Sequence, residues 1–188
     1  MTNRFFVFHA IIYVATGFMH GAFSEENTDA EMLVKSLASA ESTERDNAER
    51  KLRGMGQAAI KALRDTPLEE DAAGRAGNIL TDVAIETAKI DPLDAELLHE
   101  IARQEGKGRR YTNAERLYRR AEELFDQLKD DADNRRDNIK KNEYNDKRKL
   151  CDRMKDKAGH KANGSSHSGI DLGFVRVGRN NDMSDVWE

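Results

Sequence analysis

The chain has 188 residues and a mass of 21.3 kDa, which suits one domain of ordinary size, or one domain with a tail, and disfavours a two-domain enzyme. Charged residues reach 35% and hydrophobic residues only 38%, with a formal net charge of -4, so small cores and much solvated surface are expected. Only 2 prolines and an aromatic content of 6% favour helix and disfavour β-sandwiches and β-barrels.

The N-terminal segment differs sharply in composition from the rest of the chain. Residues 5–24 carry no acidic or basic side chain, whereas charges recur every few positions from Glu25 onward. Arg4 supplies a short basic region before the apolar core, and a small-x-small cleavage site precedes Glu25. This pattern predicts a signal peptide over residues 1–24 and an exported protein, periplasmic or secreted. The alternative is an uncleaved membrane anchor at residues 5–23, because the apolar stretch approaches the ~20 residues that span a bilayer.

Charge is distributed unevenly along the chain. Residues 25–100 hold 18 acidic and 9 basic side chains, whereas residues 134–157 hold 5 acidic and 10 basic ones. A basic run can bind phosphates, and Tyr144 within it could stack on a base. The interrupting carboxylates and the single aromatic residue favour a solvated helix that pairs its own charges, so nucleic acid is disfavoured as a partner. Attraction to an anionic membrane face or to the acidic part of a second copy stays open.

Apolar residues at helical spacing predict four helices in the first half of the chain, between residues 28 and 89. Gly56 and Pro67 are expected to end two of these helices. Buried Leu and Ala positions, an Arg near a helix start and a Gly at a turn resemble a HEAT repeat over about residues 30–65, with a weaker echo to residue 88. The resemblance implies antiparallel helix pairs stacked as a short α-solenoid. The positions that carry it are Leu33, Leu37, Arg45, Ala48, Leu52, Gly56, Ala59, Leu63, Ala76 and Leu80.

The next helix has a clear start signal. Asp91 suits the cap position and Pro92 suits the first helical position. Gly106 and Gly108 are expected to end this helix. Its expected buried face consists of Leu93, Leu97, Leu98 and Ile101.

The segment that follows is the best amphipathic helix in the chain, and Thr112 is expected to cap it. The spacing of Tyr111, Ala114, Tyr118 and Ala121 is similar to that in the second helix of a tetratricopeptide repeat, with the whole hairpin at about residues 93–128. Arg109 stands where that family usually has Gly. In the family these Tyr and Ala positions serve packing, so the resemblance implies a helical hairpin and no catalytic chemistry.

Apolar residues thin out beyond residue 131, which predicts a long, partly solvated charged helix over residues 132–158. From residue 159 the composition predicts a flexible linker and a mostly disordered tail to residue 188, with one short strand or docking peptide at residues 170–177. Trp187 is the only tryptophan of the chain. It is either part of a disordered tip or an anchor for a partner.

Sequence signatures of catalysis and structural zinc are absent: there is no phosphate loop, dinucleotide fingerprint, Gly-x-Ser-x-Gly elbow or paired Cys-x-x-Cys. The single Cys151 is expected to be a half-exposed thiol on a helix, without a functional role, and the alternative is an intermolecular disulfide. His160 and His167 match no common metal spacing with it. His99 is expected to be partly buried and hydrogen-bonded. No catalytic, cofactor-binding or metal-ligating residue is therefore predicted.

These observations predict an all-α protein with a helical-repeat (α-solenoid-like) domain at residues 28–131, a charged helix at 132–158 and a tail at 159–188. The leading functional hypothesis is an exported, non-enzymatic protein–protein interaction or scaffold module that uses no cofactor. One alternative is a membrane-tethered spacer or a subunit of an envelope complex. Another is a metal-dependent or hydrolytic accessory enzyme that uses the histidine-bearing tail. Membrane contact is expected only through the N-terminal segment, if that segment is uncleaved.

Overall fold

The computed structural model describes residues 28–164, and 84% of these residues are helical, in seven helices without a strand. The all-α prediction is therefore confirmed for this part of the chain. The predicted signal segment, the possible strand at residues 170–177 and Trp187 lie outside the described residues. Between residues 28 and 164, no helix is both long enough and apolar enough to cross a bilayer.

The chain divides into two compact units between Val83 and Ala84. The first unit contains three whole helices and most of a fourth: α1 (28–36), α2 (Ser42–Met55), α3 (Gln57–Asp65) and α4 (Glu70–Thr87), with the division near the end of α4. The second unit contains α5 (Pro92–Lys107), α6 (Tyr111–Asn134) and α7 (Asn138–Ala162).

Polar contacts fix the turns of the first unit. Arg45 donates from Nη1 to the carbonyl oxygens of Ser39 and Ala40, both at 2.8 Å, and so holds the turn between α1 and α2. Gly56 joins α2 to α3 with a φ of 56°, a conformation that side-chain-bearing residues rarely adopt. The apolar core of this unit contains Ala30, Val34, Leu37, Ala48, Leu52, Ala59, Ile60, Ala62, Leu63, Ala72, Ala76, Ile79, Leu80 and Val83.

The second unit is built from helices that run antiparallel to their neighbours in the chain, and α6 packs against both α5 and α7. The predicted start of α5 is confirmed: the Asp91 carboxylate accepts the N–H of Leu93 at 2.8 Å, and Pro92 occupies the first helical position. The predicted cap of the next helix is wrong. α6 begins at Tyr111, before Thr112, and has no side-chain cap, because the preceding turn leads directly into the helix.

Two turns of the second unit share one backbone conformation. The N–H of Arg110 donates to the carbonyl oxygen of Glu105, and the N–H of Asp137 donates to that of Ala132, both at 2.9 Å. Each is the outer hydrogen bond of a Schellman motif. The left-handed position of this motif usually holds Gly. Here it holds Arg109, with a φ of 60°, and Arg136, with a φ of 58°. Both arginines therefore occupy a backbone conformation that their side chains disfavour.

The last helix extends to Ala162, beyond the predicted end at residue 158. A narrow stripe of α7 packs against α6, while most of the charged side chains of this helix are in contact with solvent. The predicted half-exposed thiol is wrong: Cys151 is fully buried, because it lies on this stripe, and burial raises the pKa of the thiol to about 12. The buried members of the stripe are Tyr144, Cys151, Met154 and Ala158.

Candidate functional site

The described residues hold no group of three or more His, Cys, Asp or Glu side chains that could bind a metal ion. His99 is half-buried and meets the ring of Tyr118 edge-on, with 5.5 Å between ring centroids. The expected hydrogen bond is not found at its Nε2, which is buried without a partner, as is the hydroxyl of Tyr118. Burial lowers the pKa of His99 and raises that of Tyr118. This pair is an aromatic packing contact.

The residues that carried the two family resemblances are mostly packing residues. Arg45 holds a turn, as described above, and Gly56 supplies a positive φ. Tyr111 is half-buried, with Lys161 Nζ 5.2 Å from its ring centroid. Leu33 is half-buried, and the fully buried members are Leu37, Ala48, Leu52, Ala59, Leu63, Ala76, Leu80, Ala114, Tyr118 and Ala121.

The basic helix α7 pairs many of its charges within the second unit. Lys147 binds Glu96 of α5 as well as Glu143 of its own helix. Lys155 Nζ lies 2.8 Å from Glu122 of α6. Tyr144, the residue that could have stacked on a base, is buried, and its ring stacks on Phe125 at 6.4 Å. These contacts agree with the predicted helix that pairs its own charges.

Exposed large apolar side chains of the second unit collect at one end. Because α5, α6 and α7 alternate in direction, the first turns of α5 and α7 lie at the same end of the unit. Ile90 is 59% exposed, Leu93 78% and Ile139 82%. Leu93 was predicted to be buried, and this is wrong. At about 100° per residue it points about 180° away from the buried Ala102, on the solvent side of α5.

A pocket of about 320 Å³ opens at this end. Its apolar wall consists of Ile90, Pro92, Leu128, Ala132 and Tyr144, and its charged rim consists of Asp131, Arg135, Asp137 and Lys140. Leu93 and Ile139 are the chain neighbours of Pro92 and Lys140. We call the pocket, together with the exposed Ile90, Leu93 and Ile139, the end surface.

The rim charges differ in how strongly they are held. The Asp137 carboxylate accepts the backbone N–H of Lys140 at 3.1 Å and thereby caps α7. Arg135 Nη2 lies 3.8 Å from Asp131 Oδ2, a loose pair in which both side chains are mostly exposed. The side chain of Lys140 is exposed. Arg135 and Lys140 therefore offer two cations at the edge of an apolar pocket.

The end surface is not apparent from the sequence alone. Its apolar members are scattered in the chain, and only the packing of α5, α6 and α7 places residue 90 beside residues 128–144. The available signal was Ile90 and Leu93 flanking the helix start at Asp91 and Pro92. A surface with an apolar pocket and a charged rim is suited to binding.

The fold and this surface define an all-α protein with a candidate binding end. Comparison of the chain with models of protein families, with curated proteins and with solved structures finds no match.

Proposed function

We propose that this protein is an exported, non-enzymatic module that binds a protein partner through the end surface of its second unit. The single observation that carries the proposal is that Ile90 lines a pocket at the end of the unit where the exposed Leu93 and Ile139 also lie, each next in the chain to a lining residue. Apolar side chains scattered singly over a surface need no explanation, whereas several at one end, with a polar rim, mark an interaction site.

The helical architecture supports this function. Each helix of the second unit leaves one face in water and buries another against its neighbour, so the packed helices present exposed side chains to solvent. The HEAT-like and tetratricopeptide-like patterns, which are packing patterns, agree with a scaffold role. Export is proposed from the uncharged residues 5–24 and the cleavage pattern that precedes Glu25.

Site-specific photo-crosslinking tests the binding surface. A photoreactive amino acid is placed at Ile139 of the full chain in the cells that make it, and at the exposed Lys149 of the same helix as the matched control. We expect one discrete adduct from position 139, none from position 149, and loss of the adduct when Ile90→Asp is added. Adducts of equal yield from both positions, or an adduct insensitive to Ile90→Asp, would contradict the proposal.

The mass of the mature protein tests export. After cell fractionation we expect a soluble product that begins at Glu25. A membrane-bound product that retains residues 5–23 would instead identify a tethered protein.

A further inference from the structure

The pocket of the end surface has the size and lining for one large side chain. Its volume of about 320 Å³ lies at the lower end of the range for ligand pockets, ~300–1,000 Å³, and its wall is aliphatic and aromatic. Tyr144 and Leu128 belong to this wall and to the buried core of the unit, so that side of the pocket is preformed. An aromatic anchor that buries a large apolar area is the natural occupant.

Two of the four charged rim residues, Arg135 and Lys140, can bind acidic groups around that anchor, although Asp131 and Asp137 also lie on the rim. Arg135 is 80% exposed, and its pairing with Asp131 at 3.8 Å leaves the guanidinium able to bind another carboxylate. Lys140 stands on the other side of the turn, in the first helical turn of α7, where the helix dipole also favours anions. The occupant that fits is therefore an aromatic residue flanked by acidic ones.

The chain itself contains such a segment. Residues 182–188 read DMSDVWE and place the only tryptophan, Trp187, between Asp185 and Glu188. We infer that Trp187 of the same chain docks in the pocket, with the neighbouring carboxylates against Arg135 and Lys140. This inference rests on the proposed function, since it identifies what covers the binding surface until a partner takes its place.

The length of the chain allows this docking within one molecule. The pocket lies at the start of α7, and Gly164 follows its other end, about 37 Å away at 1.5 Å per residue over 25 residues. The 20 residues from 165 to 184 span up to about 66 Å when extended, at about 3.3 Å per residue. The segment therefore reaches the pocket with slack, and a tether of this length holds its tip near the pocket at roughly millimolar effective concentration.

A single-tryptophan protein gives a direct readout. In the full chain, we expect Trp187 emission to be blue-shifted and its quenching by acrylamide to be at least about twofold weaker than in urea-unfolded protein. Lys140→Glu and Ile90→Asp should each shift the emission towards that of unfolded protein while the helical circular dichroism is unchanged. Lys149→Glu, an equal charge reversal on the same helix, should leave the emission as it is. Fully quenchable emission in the native protein, or emission insensitive to Lys140→Glu and Ile90→Asp, would overturn the inference.

Dilution distinguishes docking in one chain from docking between copies. We expect the emission to be independent of protein concentration. A blue shift that appears only at high concentration would overturn docking within the chain and assign the segment to the pocket of a second copy.

Crosslinking from Ile139 separates this inference from the proposed function. If both hold, Trp187→Ala should increase the yield of the partner adduct, because the pocket is no longer covered. If partner binding holds and tail docking fails, the yield stays the same with and without Trp187→Ala. If partner binding fails, neither chain gives an adduct, while the fluorescence result stands on its own.

Discussion

Arg110 binds the carboxylate of Glu105 through two parallel hydrogen bonds, from Nε to Oε2 at 2.7 Å and from Nη2 to Oε1 at 2.8 Å. The Glu105 side chain is only 2% exposed, and Asn113 Nδ2 donates a third bond to it at 3.0 Å. The bond to Glu105 raises the pKa of Arg110. A buried charge near the end of α5 is thus fully bonded, and it ties the α5–α6 turn to the core of the second unit.

Removing one member of this pair should destabilise the unit far more than removing both. Arg110→Met leaves the Glu105 carboxylate buried with one donor, and we expect a loss of about 2 kcal/mol in the free energy of unfolding, reduced by partial access of water to Arg110. Adding Glu105→Leu should recover most of this loss. Urea denaturation measures the free energy of unfolding of both variants. The control is Arg119→Met, which removes an exposed ion pair and should lower this free energy by less than about 0.5 kcal/mol. Equal losses in the single and double variants would contradict this account of the pair.

Arg109 and Arg136 have a left-handed backbone conformation, so glycine should be the more stable residue at both positions. Arg109→Gly and Arg136→Gly should each raise the free energy of unfolding by about 0.5–1 kcal/mol, because relief of backbone strain exceeds the added entropy of the unfolded chain. Neither side chain is part of an ion pair or side-chain hydrogen bond assigned within the described residues, and both are exposed. Thermal denaturation would detect the change. A decrease in stability from both substitutions would show that the side chains make contacts worth more than the strain.

Two glycines should respond oppositely to alanine. Gly74 lies within α4 with no atom within 4 Å of an added Cβ, so Gly74→Ala should stabilise by up to about 1 kcal/mol. At Gly108 an added Cβ would lie 2.8 Å from Nη1 of Arg110, a guanidinium that Glu105 holds in place, so Gly108→Ala should destabilise. Chemical denaturation of the two variants side by side provides the comparison, and a stabilising Gly108→Ala would contradict the proposed rigidity of Arg110.

The half-buried His99 predicts acid sensitivity. Burial, the largest influence, lowers its pKa below the ordinary 6.5, and Glu96 and Glu100 oppose this only in part. The unfolded chain therefore takes up a proton at His99 before the folded chain does. The free energy of unfolding should fall as the pH drops from about 6.5 towards the lowered pKa. His99→Gln should flatten the pH dependence of the urea midpoint over that window. A profile unchanged by His99→Gln would contradict this assignment.

The buried thiol predicts slow chemical labelling. Cys151 has no exposure, and burial raises its pKa to about 12, so both access and the thiolate fraction are low. An aromatic disulfide reagent should react with it only when the second unit opens, at a rate that rises steeply with urea. Rapid labelling of the native protein, at the rate of a free thiol, would show that α7 separates easily from α6.

The sequence predicted the elements better than the contacts between them. The Asp91 and Pro92 start was recognised because a cap and its helix lie within a few residues of each other. Cys151 was misplaced because the apolar stripe of α7 is narrow and interrupted by charges, and only its packing on α6 shows that the stripe is buried. Leu93 fits an apolar pattern by spacing, yet the direction it points depends on where α6 lies.

The end surface depends on tertiary arrangement and could not be read from spacing. Its pocket combines residue 90 with residues near 130 and 140, and no local rule pairs those regions. The ion pair of Lys147 with Glu96 is of the same kind, since 51 positions separate its members. The sequence shows that these side chains are charged, but which of them form ion pairs depends on the tertiary structure.

The three-residue turns of the second unit have a kinetic consequence. Since α6 packs on the helix before it and the helix after it, most contacts form between chain neighbours and little loop entropy opposes them. Topologies of this kind reach the native state in microseconds to milliseconds. A chain that crosses a membrane unfolded would therefore have to do so before α5, α6 and α7 pack together. After crossing, fast packing of these helices would protect the chain from proteases almost at once.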